Sequence, residues 1–265
     1  MQKKRNTTLH HLRCCGDTIL ALKTAQMPKR VVISWSGGKD SAWTLHTLRQ
    51  QPDEYCVAGL LTTINQRFNR VAMHGVRREL LEAQAQATGL PLWVVPLPSP
   101  CANEDYERRM TNALHFLQRL GMDAIAFGDL YLQDIRRYRE TQFGNCGMEL
   151  LFPLWDVPTR ELANQMLGSG LRARLSCVDP RAVPAEWAGR DYDSQLLAEL
   201  PASVDPCAEN GEFHTFVYAS PMFRKSIRVV NGETVERDGF IFADLLEVSA
   251  AANPTTSAGP AILAG

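Results

Sequence analysis

The sequence predicts an α/β protein in which a doubly wound parallel sheet is followed by a smaller, mixed α+β subdomain. Two observations favour this fold class. Between residues 29 and 150, apolar runs typical of buried strands alternate four times with segments of helical periodicity, joined by connections that suit only βα crossovers. Beyond residue 150, short strands become more numerous. Ligands of such parallel sheets bind beyond the carboxyl ends of the strands, so polar residues at those ends are the candidate site.

The first predicted domain, residues 29–150, begins with β-branched residues at 31–33 that indicate a strand. A glycine-containing turn at 36–41 and a helix over 42–48 follow it. The later elements are expected in this order: a strand over 55–62, a helix over 76–88 that Gly89 ends, a strand over 92–97, a helix that Asn103 caps and Gly121 ends, and a strand over 123–127.

The second predicted unit, residues 151–248, is expected to pack against the mouth of the first domain. Its clearest local signal is Asn231-Gly232, which predicts a two-residue hairpin turn that returns the chain over 233–237. The other expected elements are strands over 150–154, 171–178, 213–218, 227–230 and 240–248, and helices over 159–167 and 194–200.

Composition and charge exclude several classes of protein. The net charge of −1 provides no overall basic field, so no nucleic-acid partner is expected, and no apolar stretch reaches the ~18 residues of a membrane span. The seven cysteines are odd in number and lack a Cys-x-x-Cys pair, which predicts buried thiols and a cytoplasmic protein. Residues 1–28 are predicted to be a disordered basic leader, and residues 249–265 a flexible tail.

The turn at 36–41 is the strongest candidate for binding a phosphate. The turn contains two glycines and connects a strand to the start of a helix. This arrangement directs backbone N–H groups and the helix N-terminus to one point, where an anion is stabilised. The spacing is not that of a Walker A loop, because Asp rather than Ser or Thr follows the lysine. The structural alternative is an ordinary glycine turn with a solvated Lys–Asp pair. The residues concerned are Ser36, Gly37, Gly38, Lys39, Asp40 and Ser41.

A second polar cluster begins where a predicted strand ends in Gly128-Asp129. In the helix that follows, Arg136, Arg139 and Glu140 share one face, and arginines there can hold a triphosphate or a carboxylate in bidentate fashion. The alternative is a solvated helix face with an internal Arg–Glu pair.

A third cluster surrounds a glycine turn and contains Glu209, Asn210, Glu212 and His214. The two glutamates are candidates to hold Mg²⁺, to bind an amine or ammonia, or to act as a base, and Asn210 and His214 to orient a polar substrate. A turn with exposed acids is the alternative. Cys207, just before this turn, is either a nucleophile or, as we favour, an inert buried thiol.

The turn at 36–41 resembles the SGGxDS loop of the N-type ATP pyrophosphatases, also called PP-loop enzymes. Further segments, in order along the chain, resemble the diphthine–ammonia ligase family within that superfamily. They are GDL (128–130), DIRRYRE (134–140), PLW (153–155), GLRA (170–173), CVD (177–179), DPC (205–207), ENGEFHT (209–215) and PMF (221–223). The resemblance covers about residues 29–247, and it implies an adenine nucleotide alpha hydrolase-like fold of the HUP type.

The resemblance also implies a reaction and its cofactors. ATP, with Mg²⁺, would activate a substrate carboxylate as an acyl-adenylate with release of pyrophosphate, and ammonia would then displace AMP to leave an amide. The acid would be a small molecule or protein-borne, as with diphthine, a modified histidine of a translation elongation factor. A homodimer is expected from the resemblance alone.

Residue roles carried by the resemblance divide into four groups. The turn 36–41, His74 and Gly128 would bind ATP, with a structural hydrogen bond as the alternative role for His74. Asp40 and Asp129 would place the metal. The catalytic residues would be Lys39, Asp40, Asp129, Glu209 and Glu212. The acceptor side would be formed by Arg136, Arg139, Glu140, Asn210 and His214.

One residue departs from the family pattern, and two other functions compete with the ligase. Ala208 replaces the usual glycine of the family, and would cost roughly 1 kcal/mol if the position requires a positive φ. The first competing function is thiolation of tRNA or a nucleotide, which expects paired catalytic cysteines and a basic RNA-binding face. The second is a non-catalytic ATP-binding module.

Overall fold

The computed structural model describes residues 27–71, 74–248 and the backbone of 261–262. The first domain alternates strands and helices as predicted. In chain order its elements are β1 (Lys29–Ser34), α1 (Lys39–Arg49), β2 (Tyr55–Asn65), β3 (Arg70–Val71), α2 (Arg78–Thr88), β4 (Leu92–Leu97), α3 (Asn103–Arg119), β5 (Ala124–Ala126), α4 (Gln133–Phe143) and β6 (Glu149–Leu151).

The main sheet has the strand order β12-β4-β2-β1-β5-β6, where β12 is Ala261–Ile262. Neighbours along this path are parallel, and only the short β3 lies antiparallel to β2. The chain moves outward from β1 through β2 to β4 and then returns to the other side of β1 with β5. The sheet is therefore doubly wound, and its switch point lies between the carboxyl ends of β1 and β5.

Alternate residues of β1 face opposite layers of the core. Val31 and Ile33 pack in one cluster with α1 and α2, whereas Val32 packs in a second cluster with α3 and Phe143 of α4. All three β1 side chains are fully buried, and burial of each contributes about 1.5–3 kcal/mol. Helices on both faces explain why β1 reads as a continuous apolar run.

The helix ends agree with the sequence at one predicted cap and differ at another. Gly89 ends α2 in the left-handed conformation with φ +71°, as predicted. Asn103 does not cap α3, since it is the first helical residue and its predecessor Ala102 occupies the cap position without a side-chain hydrogen bond.

The second domain is built on an antiparallel sheet with β7 at its centre. Strand β9 pairs with one edge of β7, and β11 and β8 with the other, while β10 extends the sheet beyond β11. The elements in chain order are α5 (Thr159–Gly168), β7 (Arg172–Val178), a 3₁₀ turn (Ala185–Trp187), β8 (Asp191–Tyr192), α6 (Ser194–Glu199), β9 (Phe213–Ala219), β10 (Val229–Arg237) and β11 (Phe240–Glu247).

Two sequence predictions for this region were wrong. Asn231-Gly232 is not a hairpin turn but an irregularity within β10, where Asn231 donates to the Gly189 carbonyl at 3.0 Å. The turn is made instead by Asp238-Gly239, both with positive φ (+53° and +79°), which suits a two-residue hairpin. In addition, the strand expected over 150–154 in the second unit is β6, which pairs with β5 in the first sheet.

The ends of the chain lie mostly outside the described residues. The leader predicted over 1–28 is described only at residues 27–28. The tail predicted over 249–265 is described only at Ala261–Ile262, which forms the edge strand β12 beside β4 rather than a loose segment. Within the described ranges, no helix combines the length and the apolar character needed to cross a bilayer.

Candidate active site

The turn after β1 is shaped by the side chains packed against it. Gly37 has φ +83°, and a Cβ there would lie 2.7 Å from Leu81 Cδ2 and 2.9 Å from Gln84 Oε1. Only glycine therefore fits both the backbone conformation and the space. Helix α1 begins directly afterwards at Lys39, so the backbone N–H groups of its first turn, which lack intrahelical acceptors, lie at the switch point of the sheet.

The second domain holds this turn in place through β9. Val217 donates its backbone N–H to the Gly37 carbonyl at 3.0 Å, and the Thr215 hydroxyl accepts from the Lys39 backbone N–H at 3.1 Å. The buried Gln84 amide donates to the carbonyls of Gly37 (2.9 Å) and Val217 (2.7 Å). The turn at 36–41 is thus fixed by both domains.

Three cavities lie around His214, which lines all of them, and two of the three also border this turn. The phosphate cavity, about 400 Å³, is lined among others by Ser36, Asp40, Ser41, Gly128, Asp129, Arg139, Glu209 and Asn210. The strand-end cavity, about 510 Å³, lies along the ends of β1, β2 and β4 and is lined by Trp35, Thr62, Leu97 and Tyr106 among others. The hairpin cavity, about 370 Å³, lies between the β2–β3 connection and the β10–β11 turn.

The two serines of the turn line the phosphate cavity. The Ser36 hydroxyl accepts from the Gly38 N–H at 3.2 Å, and the Ser41 hydroxyl donates to the Gly38 carbonyl at 2.9 Å. A Cβ on Gly38 would lie 3.2 Å from the Thr215 carbonyl, so the backbone here is closely packed. Together the hydroxyls and the helix N-terminus form a surface that favours phosphate.

Lys39 is placed differently from the prediction. Its side chain is 3% exposed and does not line any of the three cavities. The ammonium group donates instead to the Cys207 carbonyl and pairs with Asp40 at 2.9 Å. Burial is the largest influence on its pKa and disfavours the charge, but the nearby Asp40, Cys207 and Glu209 together outweigh burial, so the pKa of Lys39 is raised.

Asp40 and Asp129, the predicted metal ligands, line the same cavity. Asp129 accepts two hydrogen bonds from the Arg139 guanidinium, which also lies 4.3 Å from the centre of the Phe127 ring. Asp40 binds Lys39 through one oxygen, whereas its buried Oδ1 has no hydrogen-bond partner among the described residues. Burial also raises the pKa of the Asp40 carboxyl.

This donor set fits Mg²⁺ only as an ion shared with a nucleotide. Among the described residues there is no cluster of three metal-ligating side chains. Mg²⁺ commonly binds to proteins through one or two carboxylates together with substrate phosphates. The unpartnered Asp40 Oδ1 provides one such oxygen, and Asp129 would provide a second if it exchanged Arg139 for the metal.

The structure does not bring Arg136 and Glu140 to the cavities. These residues pair with each other at 2.8 Å on the exposed side of α4. The Arg136 guanidinium lies over the rings of Phe152 (4.8 Å) and Trp155 (4.7 Å). Of the α4 residues assigned to the acceptor side, only Arg139 lines the phosphate cavity.

In the third cluster, Glu209 and Glu212 have different environments. The Glu209 carboxylate accepts from the Leu130 N–H at 2.8 Å and lines the phosphate cavity, and its burial raises its pKa to about 7. Glu212 lines none of the three cavities, because it accepts from the backbone of Asp205 (3.0 Å) and Asn210 (3.1 Å) and so closes the loop. A carboxylate with a pKa near 7 suits proton transfer.

His74 and His214 are adjacent and uncharged. Their ring centres lie 4.4 Å apart, and both rings line the phosphate and strand-end cavities. Burial lowers the pKa of His214 to about 4 and that of His74 well below its ordinary value. Two neutral imidazoles therefore lie where the cavities join.

Sequence reasoning missed Thr215 and Gln84, although both hold the turn. In the sequence, Thr215 is marked only as the last residue of the segment 209–215, and Gln84 lies in a helix in which a glutamine is ordinarily solvated. In the structure it is fully buried, with Trp35 donating to it at 2.8 Å and its own amide donating to the Val217 carbonyl of the second domain at 2.7 Å. Ala208 has φ +54°, so the position does require the conformation that glycine adopts freely.

Comparison with known proteins identifies relatives over most of the chain. A diphthine–ammonia ligase from Danio rerio is 27% identical over 81% of this chain and 91% of its own length. The human diphthine–ammonia ligase is 24% identical over 81% of this chain and 88% of its own length. The Schizosaccharomyces pombe diphthine–ammonia ligase is 25% identical over 76% of this chain, which spans 36% of that longer relative.

Two family models match consecutive parts of the chain. The diphthamide synthase N-terminal domain matches residues 29–150, and the diphthamide synthase C-terminal domain matches residues 159–248. The first range contains the turn at 36–41, and the second contains β9 and the loop with Glu209. The chain therefore belongs to the diphthamide synthase family.

Proposed function

We propose that this protein is an ATP-dependent ligase that converts a carboxylic acid and ammonia into an amide, with release of AMP and pyrophosphate. The observation that carries the proposal is the cavity at the β1–β5 switch point. There the serines of a PP-loop turn face Glu209 and Asn210 of the second domain. The relatives named diphthine–ammonia ligases support an acid–ammonia reaction.

The first step would be attack of a carboxylate oxygen on the α-phosphorus of ATP, which forms an acyl-adenylate and expels pyrophosphate. The first-turn N–H groups of α1 other than that of Lys39, which is bonded to Thr215, and the hydroxyls of Ser36 and Ser41 would hold the phosphates. Preorganised donors stabilise the negative charge that the leaving group gains. Bound Mg²⁺, held by Asp40 and Asp129, would supply further charge neutralisation at those phosphates.

The second step would be attack of ammonia on the acyl carbon, with AMP as the leaving group. The attacking nitrogen must lose one proton to become a neutral amide. Glu209 is suited to accept that proton, since it lines the cavity and its pKa is raised to about 7. The uncharged His74 and His214 would let ammonia approach without competing positive charge.

We propose a protein-borne acid of the diphthine type, as the relatives' names suggest. A homodimer is proposed from the family resemblance. The cytoplasm is proposed because Cys56 and Cys101 are exposed free thiols, which persist in a reducing compartment.

The proposed function is tested by product analysis. The protein is incubated with MgATP, ammonium and an elongation factor that carries diphthine. The nucleotides are then separated by chromatography, and the mass of the factor is measured by mass spectrometry. We expect AMP and pyrophosphate in equal amounts together with conversion of the acid to the amide. Formation of ADP, or AMP without any amide on the factor, would refute the ligase with this acceptor.

A further inference from the structure

The adenylation steps above take place in the phosphate cavity and leave the hairpin cavity without a role. It is enclosed by Phe68 and Arg70, after β2, and by Arg237, Phe240 and Phe242 at the β10–β11 turn. The ring of His214 also lines the phosphate and strand-end cavities. A molecule in the hairpin cavity would therefore reach the phosphate cavity beside this histidine.

The wall of the hairpin cavity is preformed by contacts between the two domains. Asp244 on β11 binds Arg70 at 2.8 Å and Arg77 at 2.6 Å, and hydrogen bonding from Arg77 lowers the pKa of this carboxyl to about 2. Gly75 has φ +65°, and a Cβ there would lie 2.6 Å from Phe242 Cδ1. The ring of Phe242 consequently packs directly on the backbone beside His74, so the cavity needs no rearrangement to exist.

Aromatic rings and an unpaired cation give this cavity its chemical character. Phe68, 44% exposed, presents its ring to the opening. The Arg237 guanidinium lies 5.2 Å from the centre of that ring and 5.8 Å from the centre of the Phe242 ring. Within the described part of the chain, no carboxylate forms an ion pair with Arg237, whereas Arg70 and Arg77 share Asp244.

The surrounding charge favours an acidic ligand. Arg67 also lies over Phe68, at 5.3 Å, and Arg70, Arg77 and Asp244 together carry one net positive charge. Among the described residues that line the cavity, the one acid is Asp238, at the turn itself. Flat rings pack well on aromatic walls, and a guanidinium binds carboxylates in bidentate fashion.

We propose that the hairpin cavity is the acceptor site and that it selects a carboxylic acid with a flat, ring-containing body. The ring of this acid packs between Phe68 and Phe242. Its acidic groups are bound by Arg237 and lie beside His214. This inference rests on the proposed ligase function for its role in catalysis, but the binding itself does not depend on turnover.

Binding is tested with a simple acid of this class, 3-phenylpropionate, in the presence of Mg²⁺ and α,β-methylene-ATP, which cannot form the adenylate. We expect saturable binding to the unaltered protein by titration calorimetry. Arg237→Ala should weaken binding about tenfold, the size expected for one charge-assisted contact, and Phe242→Ala should weaken it similarly. The control Arg228→Ala removes an exposed arginine that does not line the cavity and should change nothing.

Three results would overturn the inference: no binding of 3-phenylpropionate to the unaltered protein, unchanged binding to Arg237→Ala, or equal loss in Arg228→Ala. Arg237 is exposed, so its replacement should not impair folding, which circular dichroism and the affinity for the ATP analogue would verify. The ligase assay is scored separately by AMP and amide. If the ligase assay fails but 3-phenylpropionate binds normally, the proposed function is refuted and the proposed acceptor site stands. If the ligase assay succeeds but 3-phenylpropionate does not bind as expected, only the proposed acceptor site is refuted.

Discussion

The side-chain ammonium of Lys39 donates a hydrogen bond to the backbone carbonyl of Cys207, and so links the phosphate-binding turn of the first domain to the loop that carries Glu209 in the second. The rings of Tyr192 and Phe213 lie 6.0 Å from the same nitrogen. Because this charge is buried between the domains, it positions the loop opposite the turn rather than facing the cavity itself.

Replacement of Lys39 by methionine should therefore reduce stability as well as activity. The variant leaves the Asp40 carboxylate and the Cys207 carbonyl buried without their partner, which should lower the free energy of unfolding by about 3 kcal/mol. Urea unfolding provides the measurement. Lys225→Met, at an exposed lysine, is the matched control and should be neutral. A Lys39→Met protein as stable as the control would contradict the positioning role.

Gln84 offers a second test of how the turn is held. Gln84→Leu removes the partner of the Trp35 indole and of the Gly37 and Val217 carbonyls, so it should destabilise the protein by about 3 kcal/mol and weaken ATP binding. Unfolding curves and nucleotide titration measure the two effects. Gln86→Leu, on an exposed position of the same helix, should alter neither. Normal ATP affinity in Gln84→Leu would show that the turn is held without this amide.

Replacement of Ala208 by glycine, the usual residue of the family, should stabilise the protein. Because its φ is +54°, Ala208→Gly relieves the strain of a side chain in the left-handed region and should raise the free energy of unfolding by about 0.5–1 kcal/mol, after the entropy cost of glycine. The control is Ala188→Gly, at φ −59°, which should be destabilising. Destabilisation of both variants to the same extent would rule out strain at position 208.

Glu209 should make stability depend on pH. Its pKa is raised from 4.5 to about 7 in the folded protein, so the native state keeps a proton that the unfolded chain loses, and stability falls as pH rises through this window. Glu209→Gln cannot titrate. Above pH 7 the free energy of unfolding of Glu209→Gln should exceed that of the original protein by about 2 kcal/mol, a figure reduced because Glu209 is partly exposed. Below pH 4.5 the two free energies of unfolding should be equal.

The Glu209 prediction is checked by urea unfolding across this pH range. Glu233→Gln, at an exposed acid on β10, serves as the comparison and should follow the original curve. A constant difference between Glu209→Gln and the original protein at every pH would mean that the titration of this carboxyl is not responsible.

Cys207 distinguishes the ligase from a thiolation enzyme. The thiol is 1% exposed, donates to the Thr159 carbonyl at 3.3 Å, and has its pKa raised to about 12 by burial, so it is a poor nucleophile. Cys207→Ser keeps the donor and should retain AMP formation within about threefold. Complete loss of activity in a folded Cys207→Ser protein would support covalent chemistry at this sulfur.

The sequence predicts the fold well where its signals are local. Alternating strands and helices, the glycine turn at 36–41 and the cap at Gly89 all depend on neighbouring residues, and the structure contains each of them. The hairpin was misplaced because Asn-Gly is a strong turn signal in isolation. In the folded protein, Asn231 finds partners in Gly189 and Arg174, and the pairing of β10 with β11 carries on past it.

The candidate site was predicted less completely because its geometry depends on long-range contacts. Ser36, Ser41, Asp129, Glu209 and His214 do line the cavities, as the sheet topology led us to expect. Sequence spacing could not show that Lys39 turns toward Cys207, nor that Arg136 stacks on Phe152 and Trp155. In the hairpin cavity, Phe68 is far along the chain from Phe240 and Phe242, so these aromatic residues form no motif.

The hydrogen bonds that join Gly37 and Gln84 to Val217 have a consequence for how this protein can be divided. The two matched family domains suggest separable modules, with a junction between residues 150 and 159. A gene fragment that ends there would encode the first domain without the hydrogen bond from Val217 to its glycine turn. Fusion of this domain to an unrelated protein would not restore that hydrogen bond. Engineered variants of this protein must therefore keep the two domains together.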